Sequence, residues 1–170
     1  FVELVHEGQD YQVRVNAPSH TELSRTDFAA FKALADMPAA MTAHVVFSAL
    51  DGANPASTSQ RVTADIIRGE IGFDGLLMSD DLSMQALSGS IGARAAAVIA
   101  AGSDVALHCN GDLAEMEAAA AQLPELSGKA LDRFSAALAR LGRPQPFDTA
   151  AAVSKLQQVL ADHAASTESV

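Results

Sequence analysis

Two adjacent carboxylates, Asp80 and Asp81, stand in the run SDDLSM between Ser79 and Met84. A short apolar run, GLLMS (75–79), leads into them and places both at the C-terminal end of a strand. An ionised carboxylate there can act as a nucleophile or steady a developing cation; it can equally cap the loop that follows. Successive strand residues point to opposite faces, so Asp80 and Asp81 do not share one task. Two further apolar runs, AAMTAHVVF (39–47) and DVALHC (104–109), carry His44 and then His108, Cys109 and Asn110 toward the same kind of position. His44 inside an apolar strand reads either as a ligand contact or as a satisfied core histidine, and Cys109 as a small hydrophobe. Met41, Met78 and Met84 read as core, while His6, His20 and His163 fall outside this rim and read as surface.

The three apolar runs start roughly 30 residues apart, the size of a βα unit. Between them, residues 60–70 set Val62, Ile66 and Ile67 on one helical face, and residues 91–101 are alanine-rich with Gly102 as the stop. Upstream, residues 24–35 space Phe28, Phe31 and Leu34 as a single helix covering a sheet. Downstream come a helix over 113–122 halted by Pro124, an amphipathic helix over 127–141 with Ser127 as N-cap, and a last helix capped by Asp148 and running to about Asp162, with a frayed tail. Strand–helix alternation predicts parallel strands and an α/β class, either a doubly wound sheet or part of a (β/α)₈ barrel. Ligands bind at strand C-termini in both. A full barrel takes about 250 residues, more than this chain supplies.

The chain has 170 residues, 49% of them hydrophobic, and 11 Lys+Arg against 21 Asp+Glu, a formal net charge of -10. That apolar share excludes general disorder, and the acidic balance argues against a nucleic-acid or anionic-membrane partner; an uncharged or sugar-like ligand fits better. A single cysteine, Cys109, excludes an intramolecular disulfide. With neither a secretion signal nor a long apolar span visible, a cytoplasmic location is expected. No GxGxxG, CxxC or GxSxG occurs, and no cofactor is predicted. A metal-dependent hydrolase built on His44, Asp80, Asp81 and His108 lacks any ligand spacing such as HxH or HExxH.

The stretch GFDGLLMSDDLSM (72–84) resembles the strand-7 signature of glycoside hydrolase family 3, in particular its bacterial β-N-acetylhexosaminidases. MTAHVVFSALD (41–51) is similar to the family's strand 6, AAGSDVALHCNGDLAEM (100–116) to its strand 8, and DGANPASTSQRV (51–62) to the proline-led segment before the next helix. The resemblance covers about residues 17–141. It implies a partial (β/α)₈ TIM-type barrel of about strands 6–8 with their helices plus C-terminal helices. It also implies a retaining glycosidase without cofactor or metal, which removes terminal β-linked N-acetylglucosamine from saccharides or muropeptides in peptidoglycan recycling. The first Asp of the SDD triplet is the family's nucleophile, which falls on Asp80; Asp81 and Ser83 would organise the loop, and His44 and Asn110 would line or support the pocket.

The chain departs from the family in one place. The loop K-H-x-P-G-H-G-x-x-x-x-D-S-H, which carries the family's acid/base histidine and its aspartate, has no match. Gapless extension puts its Asp at Glu7, its last His at Gln9 and the catalytic His at about Phe1. The expected organisation is therefore a diverged strand-5 remnant over 1–16, the C-terminal half of a barrel over 17–141, a terminal helix over 142–163 and a frayed tail over 164–170. Weak or no turnover is expected of this chain. The alternative is a non-catalytic half barrel that self-associates through its open edges or docks onto a separate N-terminal half.

Overall fold

The computed structural model describes residues 15–16, 18–143 and 146–167. The remnant expected over 1–16, with His6, lies outside the described residues except for Val15 and Asn16, and so do residues 168–170 of the expected tail. The chain divides into two units, Phe1–Arg140 and Leu141–Val170.

In the first unit, β1 (Val15–Asn16) is followed by α1 (His20–Arg25), α2 (Asp27–Lys32), β2 (Ala39–Met41) and β3 (Val46–Phe47). A 3₁₀ turn (Ala56–Thr58) and a π-wound helix (Val62–Glu70) then lead to β4 (Leu76–Asp81). The unit ends with α3 (Ile91–Ala100), β5 (Val105–Leu107), α4 (Leu113–Ala120) and α5 (Gly128–Ala139). Every strand pairing is parallel: β2, β4 and β5 form one sheet in that order, and β1 pairs with β3. The mixed α/β class with a parallel sheet is as expected.

Several boundaries differ, each for a local reason. The run 39–47 is two short strands in two sheets, because the chain bends away from β4 after Thr42. The helix expected over 24–35 is two helices broken at Thr26, whose hydroxyl donates to the Glu22 carbonyl at 2.8 Å and competes with the backbone ladder. Phe28 is buried there, but Phe31 and Leu34 are exposed. The helix over Val62–Glu70 closes on a wide turn, with the Ile71 amide bonded to the Ile66 carbonyl. Strand β4 extends to Asp81 rather than ending at Ser79. Gly102 does stop α3: at φ 105° it donates to Ile99, while Ser103 reaches Val98, a Schellman closure.

Helices cover one face of the sheet. Leu77 and Ser79 of β4 are buried on that side. One core gathers Leu23, Phe28, Leu50, Ala56, Val62 and Ile66; the other gathers Leu82, Leu87, Ala95, Val98 and Ala119. The opposite face is open. Met41, expected in the core, is 52% exposed, and its register partner Met78 is only half-buried.

Helix α5 is attached by its polar side, contrary to its amphipathic pattern. Arg133 reaches Asp74 and pairs with Asp104 at 3.0 Å, while Leu131, Phe134 and Leu138 remain exposed. Asp104 is the hub: it also accepts from Arg68 and from the Leu77 amide, both at 2.8 Å. At the start of β4, Gly75 is required by close approach, since a Cβ there would sit 2.6 Å from the Met37 carbonyl. In the second unit, Asp148 Oδ1 accepts from the Ala151 amide at the start of α6 (Thr149–Thr167). That helix runs past the expected end near Asp162. Among the described residues no helix is long and apolar enough to cross a membrane.

Two outcomes follow from these polar anchors. Asp104→Ala strands two part-buried guanidinium groups, and urea denaturation should show a loss of about 3 kcal/mol. Asp51, at the head of the loop after β3, accepts from the Asn54 side chain, from Ser59 and from the Ala53 amide, which hold its carboxyl down at about 2. Its contribution to stability is complete above the ordinary value of 3.8 and is lost as pH falls toward 2. The stability gap between wild type and Asp51→Asn, followed by denaturation across that range, should therefore shrink with acidification.

Candidate active site

The C-terminal end of β4 brings Asp80 and Asp81 out between the ends of β2 and β5. Their side chains diverge, as strand alternation requires. Asp81 turns to the loops. Its Oδ1 accepts from the amides of Ser83 and Cys109, each at 3.0 Å, and its Oδ2 accepts from the Ser83 hydroxyl. Burial pushes the Asp81 carboxyl up, but these donors outweigh it and hold the group below the ordinary carboxylate value. Asp80 is half-buried, and its carboxylate accepts a single hydrogen bond among the described residues, from the Asp81 amide to Oδ1 at 2.9 Å. No described residue claims its Oδ2.

The strand end is fixed from three sides. Ser79, fully buried, donates to the Asp80 carbonyl and accepts from the Leu107 amide, bridging the register shift between β4 and β5. His44 is 4% exposed and uses both ring nitrogens: Nδ1 lies 2.6 Å from the Ser57 hydroxyl and Nε2 lies 3.0 Å from the Asp81 carbonyl. Arg94, on α3, reaches back to the carbonyls of Leu82, Met84 and Gly89 and closes the loop after Asp81.

Across the rim, Asn110 donates to Glu115 at 2.6 Å and accepts from the Asp112 amide, so its side chain is engaged in the turn into α4. His108 Nε2 meets the same Glu115 carboxylate at 2.9 Å, and its Nδ1 is buried without a partner among the described residues. Cys109 is exposed; desolvation and then the charges of Asp81 and Asp80 push its thiol up, away from the reactive thiolate. Among the described residues, no three His, Cys, Asp or Glu side chains converge as a metal centre.

All four expected supporting residues, His44, Asp81, Ser83 and Asn110, thus spend their polar atoms within the chain. Ser57 and Arg94 were not expected here. The clue to Ser57 lies in the hydroxyl-rich run ASTS after Pro55, where one buried serine must satisfy a buried imidazole. Arg94 lies within an alanine-rich helix, and no spacing signals its reach.

The family model described as "Glycosyl hydrolase family 3 N terminal domain" matches residues 5–143. A β-hexosaminidase from Bordetella avium is 33% identical over 135 residues, covering 77% of this chain and 35% of the relative. One from Pseudomonas aeruginosa is 42% identical over 114 residues, covering 65% of this chain and 34% of the relative. Among solved structures, NagZ from Neisseria gonorrhoeae in complex with N-trifluoroacetyl-D-glucosamine superposes with a TM-score of 0.64 at 31% identity, over 74% of this chain and 36% of that one. A family 3 β-N-acetylglucosaminidase from a Paenibacillus species gives 0.65 at 24% identity, over 84% and 31%, which speaks for the fold alone. The chain spans about a third of the length of the curated relatives it matches. With the match running through β2, β4 and β5 and the carboxylate pair they present, this chain belongs to glycosyl hydrolase family 3.

Proposed function

We propose that the chain carries the nucleophile of a retaining β-N-acetylhexosaminidase and that Asp80 is that nucleophile. The observation behind this reading is the division of labour at the end of β4. Asp81 spends its carboxylate on the loops, while no described residue claims Asp80 Oδ2 at the strand's C-terminus. In this reading residues 17–141 are part of a (β/α)₈ barrel, about strands 6–8, with 142–163 as a terminal helix. The substrate is a terminal β-linked N-acetylglucosamine on a saccharide or muropeptide, met in the cytoplasm during peptidoglycan recycling.

Asp80 Oδ2 attacks the anomeric carbon, and the bond to the leaving oxygen breaks with its electron pair going to that oxygen. Water then attacks the same carbon, frees the carboxylate and restores the original configuration, releasing to solvent one proton that balances the one the departed oxygen has taken up from it. A carboxylate is already anionic at neutral pH, so the step needs no cofactor. His44, Asp81, Ser83 and Asn110 hold the strand-end loops. General acid–base help is worth about 10²- to 10⁴-fold, so a substrate whose leaving group needs no proton isolates the contribution of Asp80.

A fluoride leaving group needs no protonation, which makes 5-fluoro-N-acetylglucosaminyl fluoride a suitable probe. Mass spectrometry after incubation should find one sugar esterified to Asp80, and none on Asp80→Ala. A label on another residue, or equal labelling of the variant, overturns the assignment.

The open sheet face favours a second reading, in which the chain works as one half of an assembled barrel. Met41 is half-exposed, its register partner Met78 is only half-buried, and among the described residues β2 has no neighbour on its outer side within its sheet. Sedimentation should then show concentration-dependent association that Met41→Glu weakens. A monomer at every concentration, for both proteins, removes this reading.

A further inference from the structure

The His44 imidazole holds one fixed tautomer and lies at the end of the strand that presents Asp80. Strand β2 stops at Met41, and the bend before β3 turns His44 inward beneath the end of β4. There the ring is almost fully buried between two chain segments: the loop after β3, through Ser57, and the backbone of Asp81. A carbonyl oxygen has no proton to give, so the contact with Asp81 requires hydrogen on Nε2. Nδ1 of the neutral ring is then a lone pair and accepts from the Ser57 hydroxyl. Ser57 is itself fully buried, and its amide donates to the Ala43 carbonyl at 3.1 Å, so the acceptor's partner is held by the neighbouring backbone.

Residue 81 thereby becomes a clamp. Its carbonyl is held by His44 and by the Met84 amide at 3.1 Å, its carboxylate by Ser83 and the Cys109 amide, and its own amide donates to Asp80 Oδ1. That last bond sets which way the Asp80 carboxylate faces. Of the groups that hold residue 81, only His44 reaches it from the β2 side.

We infer that His44, as the Nε2–H tautomer fixed by the Asp81 carbonyl and steadied by Ser57, is a positioning residue for the Asp80 carboxylate and does not contact sugar. The inference rests on the assignment of Asp80 as nucleophile for its catalytic consequence, but its structural content can be tested without turnover. A shift of about 1 Å in a reacting group costs on the order of 10²-fold in rate.

The test uses the whole chain in two arms. In the first, ¹⁵N-edited NMR at pH 8, where an imidazole is neutral, should show His44 protonated on Nε2 alone. Ser57→Ala should leave hydrogen on Nε2, which the Asp81 carbonyl still requires, but loosen the ring and shift the Asp81 amide resonance; His44→Leu should shift it further. His44→Gln restores a donor at the Nε2 position and should return that resonance toward its wild-type place. An Nδ1–H tautomer, or an Asp81 amide indifferent to both His44→Leu and Ser57→Ala, overturns the inference.

The second arm follows labelling by the glycosyl fluoride. His44→Leu should slow inactivation at saturation about 10²-fold with the half-saturating concentration unchanged, and His44→Gln should recover to within about fivefold. A weakened half-saturation with an unchanged limiting rate would instead make His44 a sugar contact and overturn the inference. If the wild type takes no label at all, the nucleophile assignment fails, and the NMR arm still decides whether His44 sets the geometry of residues 80 and 81. Should His44→Leu not fold, Ser57→Ala carries both readouts, with smaller effects in the same directions.

Discussion

Strand β4 is the only strand among the described residues with a neighbour on each side, and both of its ends are pinned by buried polar groups. At its start, Asp104 accepts from the Leu77 amide while holding Arg68 and Arg133. At its finish, Ser79 bridges to β5 and His44 grips the Asp81 carbonyl from the β2 side. Three parallel strands of three to six residues give few ladder bonds, and parallel pairing is the weaker kind. Buried side chains therefore do much of the work that a longer ladder would do. The remaining elements are arranged around this strand: the π-wound helix brings Arg68, α5 brings Arg133 and α3 brings Arg94.

The α/β class, the three strand centres and the carboxylate pair were legible in the sequence because they rest on local signals. Apolar runs, an alanine-rich helix and the Gly102 stop each act within about ten residues. The interruption of the first apolar run was not legible. MTAHVVF has the composition of one continuous strand, and its bend is held by non-local bonds: His44 to Ser57 and Asp81, the amides of Ser57 and Ala56 to the Ala43 and Val45 carbonyls, and the pairing of β3 with β1. Helix α5 misled in the opposite way. Its apolar stripe of Leu131, Phe134 and Leu138 predicts burial, yet ion pairs to Asp74 and Asp104, distant in sequence, decide which side faces the sheet. The break at Thr26 depends on a single hydroxyl competing with the ladder, a contest that periodicity does not register.

The site shows the same partition. That Asp80 and Asp81 must differ followed from strand alternation alone. Which of them is spent on the loops did not, because the answer depends on amides contributed by Ser83 and by Cys109, the second of which comes from another strand's end. Arg94 acts on backbone carbonyls, and a backbone acceptor leaves no mark on the sequence. For that reason a positioning group is harder to read from residue types than a reacting one.

The open face of the sheet and the closed end of β4 bear on function in different ways. Among the described residues, the bonds that hold residues 80 and 81 come from residues 44 to 109, away from the exposed Met41 side chain. A partner on the open face would add apolar burial without needing to build that setting. The open face and the strand end thus answer to different forces: burial of apolar area on one side, and a few directed hydrogen bonds from neighbouring strand ends on the other.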